Sequence, residues 1–306
     1  MPHKYNYSAI YAQRMYEETR TTSRQGVNLS KHQAAEMDSV VTPLIRQGQS
    51  PYQIITNHPE LGISVKTLYN YIDQGVLMTR NIDLKRKPKF KPRKHTRTGI
   101  RDRAVFIGRT YNDFRELDPD HFFEMDTVLS AKGSNKCILT FYEPEIELFY
   151  ARLLPRCSKG AVHAVFDTLE HSMGTYDFLS VFEILLTDRG NEFSDPERLE
   201  TGINGIQRSS IYYCDPMRSG QKGGIEEVHT MLRMILPKGT VFTDLTQWDV
   251  RKCVNNINAT PRAALNGNTP YNLALEKYGS KICHHGLQLR YIEPDNVILT
   301  PKLLKK

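Results

Sequence analysis

The sequence predicts an α/β domain, a mixed sheet with flanking helices, preceded by a small all-α helix-turn-helix domain. Two patterns carry this expectation. Residues 121–130, 137–144 and 147–154 read as three β-strands joined by short turns. A helix (159–172), a strand (181–188), a second strand (209–215) and a helix opening near Glu226 follow, the order of a sheet with helices on its faces. Before residue 80 the apolar periodicity is helical throughout. A basic, proline-containing stretch separates the two regions. The expected division is therefore a helical domain at 1–79, a linker arm at 80–103, the α/β domain at 104–280 and a tail at 281–306.

In the helical domain, residues 8–22 and 31–47 read as the first two helices. Ser30 is placed to cap the second, which spaces Met37, Val40, Val41, Leu44 and Ile45 along one face before Gly48. A short helix follows Ser50, where Ser caps and Pro51 takes the first turn. After a turn around Pro59 and Gly62, Ser64 opens a last helix that buries Val65, Leu68 and Ile72 and stops at Gly75. Its opposite side presents Lys66, Thr67 and Asn70, donor and acceptor types that suit base edges in a major groove.

Charge is unevenly placed. Residues 1–103 hold 18 Lys/Arg against 8 Asp/Glu, a net of +10, which leaves −3 of the total +7 for residues 104–306. The arm at 80–103 alone has eleven Lys/Arg and two Asp. Pro88, Pro92 and like-charge repulsion keep such a segment extended. Lys85, Arg86, Lys87, Lys89, Lys91, Arg93 and Lys94 are candidate phosphate contacts, with affinity driven by counterion release.

Other classes fall away. No apolar run approaches the ~20 residues of a membrane span and no signal peptide is evident, so a cytoplasmic protein is expected. The five cysteines are odd in number and form no CxxC pair, which argues against a disulfide framework or a zinc site and for reduced thiols. Trp248 reads as a packing residue on an amphipathic helix.

Three separated acids carry the chemistry. Asp126 lies in HFFEMDTVLS and Asp188 in EILLTDRGNEF, both in or at the end of β-prone runs, and Glu226 opens the helical pattern of QKGGIEEVHTMLRMILPKG. Acids so placed can meet at one end of a mixed sheet and hold hard divalent cations such as Mg²⁺ through carboxylate oxygen. A pair of such ions roughly 3.5–4 Å apart suits phosphodiester chemistry.

Their order, with gaps of 62 and 38 residues, resembles the DDE signature of RNase H-like transposases and retroviral integrases. SPYQII, EMDTV, LLTDRGNEF, QKGGIEE followed by LRMILPKGT, DLTQWDV and LNGNTPYNLAL are similar to bacterial insertion-sequence transposases of insertion sequence family 30, across nearly the whole chain. The resemblance implies an RNase H-like fold with Asp126 on the first strand, Asp188 after the fourth and Glu226 on a later helix. It implies two Mg²⁺ ions, with Mn²⁺ as a substitute, held by Asp126, Asp188 and Glu226. It also implies strand cleavage at the ends of a mobile element, exposing a 3′-OH that attacks target DNA. The implied partners are double-stranded DNA, both element ends and target, and further copies of the chain, at least a dimer; no membrane partner is implied.

Two departures matter. Family members commonly carry Asn after the catalytic Glu, where this chain has Glu227, and the KG(x)IE and PKG landmarks select Glu226. Glu227 would point ~100° away around the helix. Fuller members also carry an additional N-terminal DNA-binding region, expected to be absent here. Arg189, Asn191 and Glu192 beside Asp188, and Lys222, Arg233 and Lys238 around Glu226, are candidates for phosphate contact or for orienting the metal ligands. The alternatives kept open are a DNA-binding regulator or remnant without activity, and a metal-dependent nuclease that cuts without joining.

Overall fold

Phe123–Leu129 (β1), Cys137–Glu143 (β2) and Leu148–Leu154 (β3) form where the three strand-like runs lie, and they pair as successive antiparallel neighbours. The computed structural model describes residues 7–22, 29–84, 104–216 and 218–305, so the arm cations from Lys85 to Lys94 lie outside the described residues. Ile184–Thr187 (β4) pairs parallel with β1, and Ser210–Tyr213 (β5) parallel with β4. The resulting order is β3-β2-β1-β4-β5, with β1 in the centre. This mixed sheet, covered by helices, is the RNase H-like arrangement.

The helical region begins with α1 (Ala9–Thr22), α2 (Lys31–Arg46), α3 (Pro51–Asn57) and α4 (Val65–Asp73). Ser30 and Ser50 each close a capping box with the Gln three residues on, and the Ser64 hydroxyl accepts the Thr67 N–H at 3.1 Å. These caps satisfy donors that a helix start leaves unpaired. Met37, Val41, Leu44, Ile45, Ile54, Leu68 and Ile72 form the small core expected from the pattern.

In the α/β region the helices are α5 (Tyr111–Leu117), α6 (Lys159–Met173), α7 (Thr175–Phe182), α8 (Pro196–Glu200), α9 (Gly223–Ile235), α10 (Gln247–Asn258) and α11 (Pro270–Lys281). Two sequence readings need correction. Residues 181–188 read as one strand, whereas α7 takes Val181 and Phe182. Phe178, Val181 and Phe182 are buried at helical spacing, and only Glu183 separates them from the apolar residues of β4, so periodicity alone could not separate the two. Trp248 is not packed: it is 59% exposed, with the Arg251 guanidinium 5.4 Å from its ring.

Strand alternation sorts the two faces of β1. Phe123 and Met125 join Phe141, Phe166, Phe178 and Phe182 in the aromatic core beneath α6 and α7. Glu124 and Asp126 take the other face, opposite Tyr142 and Thr140 on β2, where α9 packs.

The C-terminal segment connects the two regions. The Gln49 side-chain amide donates to the carbonyls of Pro294 (2.8 Å) and Val297 (3.3 Å), and the Leu299 N–H donates to the Gln47 carbonyl at 2.8 Å. Val297 and Leu299 are buried in the α/β core. Among the described residues, no helix is long and apolar enough to cross a membrane.

Candidate active site

Asp126 sits within β1 and Asp188 immediately follows β4, its parallel neighbour. The two carboxylates converge on one cation. Lys222, the residue preceding α9, is buried, with its ammonium 3.4 Å from Asp126 Oδ2 and 3.8 Å from Asp188 Oδ2, and it donates to the Met125 carbonyl at 3.3 Å. By sequence Lys222 is a candidate for phosphate contact or for orienting the metal ligands; the structure buries it between the aspartates.

Burial pushes the Asp188 carboxyl above the usual aspartate range even though about half its side chain reaches solvent. Asp126 and Glu192 push the same way, while Lys222 and the Gly190 N–H oppose. The Gly190 N–H donates to Asp188 Oδ1 at 2.9 Å. A Cβ on Gly190 would stand 2.9 Å from both that oxygen and Glu192 Oε2, so a larger residue there would push the two carboxylates aside. Glu192 accepts from the Thr127 hydroxyl at 2.7 Å, tying the Asp188 loop to the residue beside Asp126.

Glu226 lies in the first turn of α9. Two contacts fix the phase of that helix over β1 and β2. The Ile225 N–H donates to Glu124 Oε2 at 2.6 Å, and His229 Nε2 lies 2.8 Å from the Thr140 hydroxyl, which donates to the Asp126 carbonyl at 3.0 Å. Since that hydroxyl's proton goes to the carbonyl, His229 is the donor, a neutral Nε2–H imidazole. Burial, with Lys222 and Arg233, holds its pKa down at about 4.

Glu226, His229 and Arg233, spaced three and four residues apart, therefore share one flank of α9, and Lys222 lies just before its start. Glu227 takes the other flank with Met231 and Met234. It lines a cleft of about 620 Å³ between the two regions, together with Tyr69, Tyr142, Glu147 and Arg262. The two adjacent acids thus face different surroundings.

Among the other candidates, Lys66 and Asn70 are exposed on α4, whereas Thr67 is half-buried with its hydroxyl 2.9 Å from that of Ser64. Arg189 is half-buried, its guanidinium 5.0 Å from the Phe106 ring. Burial lowers the pKa of the half-buried Arg233 guanidinium, which donates to the Leu236 carbonyl at 3.4 Å, and Lys238 is exposed.

Sequence reasoning missed Glu124, Thr127, Thr140 and His229. One signal was present: an acid at position 124 of an otherwise apolar strand falls on the same face as Asp126, and a buried charge needs partners.

The donor set suits a hard divalent cation, since carboxylate oxygens from two strands already gather around a positive charge. A separate cluster of His121, Glu143 and Glu145 has ligand-like spacing. The Lys277 ammonium fills it, 2.5 Å from Glu143 Oε1 and bonded to Glu145, so we assign it no metal.

The class is defined by an RNase H-like sheet with one aspartate in its central strand and another just past the end of the parallel neighbour. Comparison with known proteins agrees with the motifs. The chain is 31% identical over 208 residues to the "Probable transposase for insertion-like sequence element IS1161" of Streptococcus salivarius, covering 65% of this chain and 55% of that protein. It is 26% identical over 246 residues to the transposase of insertion sequence element IS1086 of Cupriavidus metallidurans, covering 76% and 70%. It is 27% identical over 188 residues to the transposase InsI of insertion sequence element IS30A of Escherichia coli, covering 58% and 45%. The match thus spans about half the length of the first and third. No protein-family model matches the chain. The chain resembles bacterial insertion-sequence transposases, family 30 elements among them.

Proposed function

We propose that the chain is a DNA transposase that cuts the ends of a mobile element and joins them to target DNA. The observation that carries this reading is the convergence of Asp126 and Asp188 on the Lys222 ammonium, with Glu226 in the first turn of the helix that this lysine precedes. Relatives named transposases support it. In this reading residues 1–79 bind DNA, 80–103 form a phosphate-contacting arm, 104–280 catalyse and 281–306 form a C-terminal segment.

Asp126, Asp188 and Glu226 would hold two Mg²⁺ ions, or Mn²⁺ in their place. Such ions supply charge stabilisation for the attacking and leaving oxygens of an in-line displacement. The remaining work falls to the protein. Thr127 and Gly190 hold the Asp188 loop through Glu192 and the carboxylate itself. Neutral His229 fixes α9 to β2 without adding charge beside the acids. Lys66, Thr67 and Asn70 read element ends, and Arg189, Arg233, Lys238 and the arm contact phosphates, with at least two copies bringing both ends together.

The test is incubation of the full chain with labelled duplex carrying the flanking element ends, in Mg²⁺ or EDTA. Mg²⁺-dependent nicking followed by strand joining is expected. Cutting without joining would make the protein a nuclease, and binding without cutting would make it a regulator.

A further inference from the structure

We propose that Glu124 is a positioning residue that anchors the start of α9 and thereby aims Glu226 at the two aspartates. The proposal rests on the transposase reading and adds to it a residue that does not itself touch DNA or metal.

A carboxylate at position 124 is costly to bury. It is nonetheless only 5% exposed, in the central strand, two residues from Asp126. Its partners explain why it is kept there. It accepts the Ile225 N–H at 2.6 Å, one of the donors that the start of a helix leaves unpaired. Its negative charge also faces the positive end of the helix dipole.

A second, independent observation shows that α9 starts in close contact with this point of the sheet. A Cβ on Gly224 would stand 2.2 Å from the Tyr142 ring, and Tyr142 is the residue paired with Glu124 across β1 and β2. Only glycine allows that approach. One turn further on, His229 meets Thr140, which is paired with Asp126. Glu226 lies between these two fixtures. Lys222, one turn before Glu226, meets the aspartates themselves. Removing the Glu124 anchor frees the Ile225 amide in the first turn, next to Glu226, and leaves that turn held by Lys222 before it and His229 after it.

The experiment compares wild type, Glu124→Gln, Glu124→Leu and Glu226→Gln in the full chain. Gln keeps an acceptor of the same length but loses the charge, and is the variant that best preserves folding. Leu removes the acceptor and the charge. Hydrogen exchange at the Ile225 amide is followed by NMR, Mn²⁺ binding by calorimetry, and nicking of the labelled duplex across a Mn²⁺ titration.

Glu124→Leu is expected to speed exchange at that amide at least tenfold and to weaken Mn²⁺ affinity by about 10–100-fold, the usual loss when a group supporting a metal ligand is removed. Glu124→Gln should fall between it and wild type. Nicking should be restored toward the wild-type rate by excess Mn²⁺ in both Glu124 variants but not in Glu226→Gln. Unchanged exchange in Glu124→Leu, or in Glu124→Gln if the leucine variant does not fold, overturns the anchor. So does a Glu124→Gln variant that loses Mn²⁺ as completely as Glu226→Gln while its Ile225 amide stays protected, since Glu124 would then be a ligand. If wild type neither binds Mn²⁺ nor nicks, the transposase reading fails, while the exchange measurement still decides whether Glu124 holds the helix.

Discussion

Replacing Lys222 with Met removes the cation that sits between Asp126 and Asp188 while keeping a side chain of similar length. At separations of 3.4 and 3.8 Å, Coulomb's law with an effective dielectric constant near 20 gives gross attractions on the order of 4–5 kcal/mol each. Those are not net energies, because burying the ammonium has its own desolvation cost, and removing one partner of a buried pair typically destabilises by about 3–5 kcal/mol. Asp188 is half exposed, so water screens its share, and a net loss of about 2 kcal/mol in metal-free buffer is the reasonable expectation. For a domain of this size that lowers Tm by roughly 4–8 °C.

The assay is thermal unfolding of wild type and Lys222→Met in EDTA and in saturating Mg²⁺. In the variant the aspartates repel with nothing between them, so divalent cation should bind more tightly and raise Tm more than in wild type. The gap between the two proteins should close largely in Mg²⁺. An equal Tm loss in both buffers would mean that Lys222 contributes packing rather than charge, and no loss in EDTA would remove it from the acid pair altogether.

Asp126→Asn, Asp188→Asn and Glu226→Gln should each abolish nicking with duplex binding retained, whereas Glu227→Gln, on the other flank of α9, should nick at near the wild-type rate; loss of nicking in Glu227→Gln alone would reverse the register. Neutralising Lys85, Arg86, Lys87, Lys89, Lys91, Arg93 and Lys94 should lower the slope of log affinity against log salt by up to roughly 0.9 for each phosphate the arm no longer neutralises, and an unchanged slope excludes the arm from the backbone. Asn70→Ala should cut the preference for element ends over random duplex by about 1–3 kcal/mol while leaving random-duplex affinity unchanged in competition binding. His58 bridges the two regions, its Nδ1 2.7 Å from Glu60 and its Nε2 2.8 Å from Asp295. Burial lowers its pKa, but the two carboxylates outweigh burial and hold it above the ordinary histidine value. Its contribution to stability is therefore complete below the unfolded-state pKa of about 6.5 and is lost as pH rises through the folded-state value. The pH dependence of Tm above about 6.5 should therefore flatten in His58→Gln.

Much of the fold was legible because its signals are local. Ser30, Ser50 and Ser64 cap helices through bonds to residues three positions away, and β1 to β3 are successive hairpin strands, so each element can be read within its own window. The α7–β4 boundary was not legible, because Phe178 to Leu186 is almost unbroken apolar sequence that suits a buried helix and a buried strand equally. Trp248 misled for another reason: amphipathic spacing locates the buried face of a helix but does not require every large residue to lie on it.

Asp126 and Asp188 were the legible part of the site, since each terminates or interrupts a strand and parallel pairing of β1 with β4 brings them side by side. The third acid is a different problem, because a helix position has meaning only once the phase of the helix is known. The run QKGGIEEVHTMLR offers Glu226 and Glu227 with equal local claims. Its buried residues, Ile225, Val228, Met231, Leu232 and Ile235, centre the core stripe so that the two acids fall on opposite flanks, about 100° apart. Which flank faces the aspartates is decided by Glu124, Tyr142 and Thr140, residues some 85 to 100 positions earlier, and no window along α9 contains them. What the run does contain is the set Glu226, His229 and Arg233 on a single flank with Lys222 just before the helix, one acid among three basic side chain types. A flank of that composition suits a face that meets two aspartates and, in the proposed function, a DNA backbone, whereas Glu227 shares its flank with Met231 and Met234 and lines the cleft. Helical spacing of charge along that one helix is therefore a sequence signal that favours Glu226 over Glu227 as the third acid.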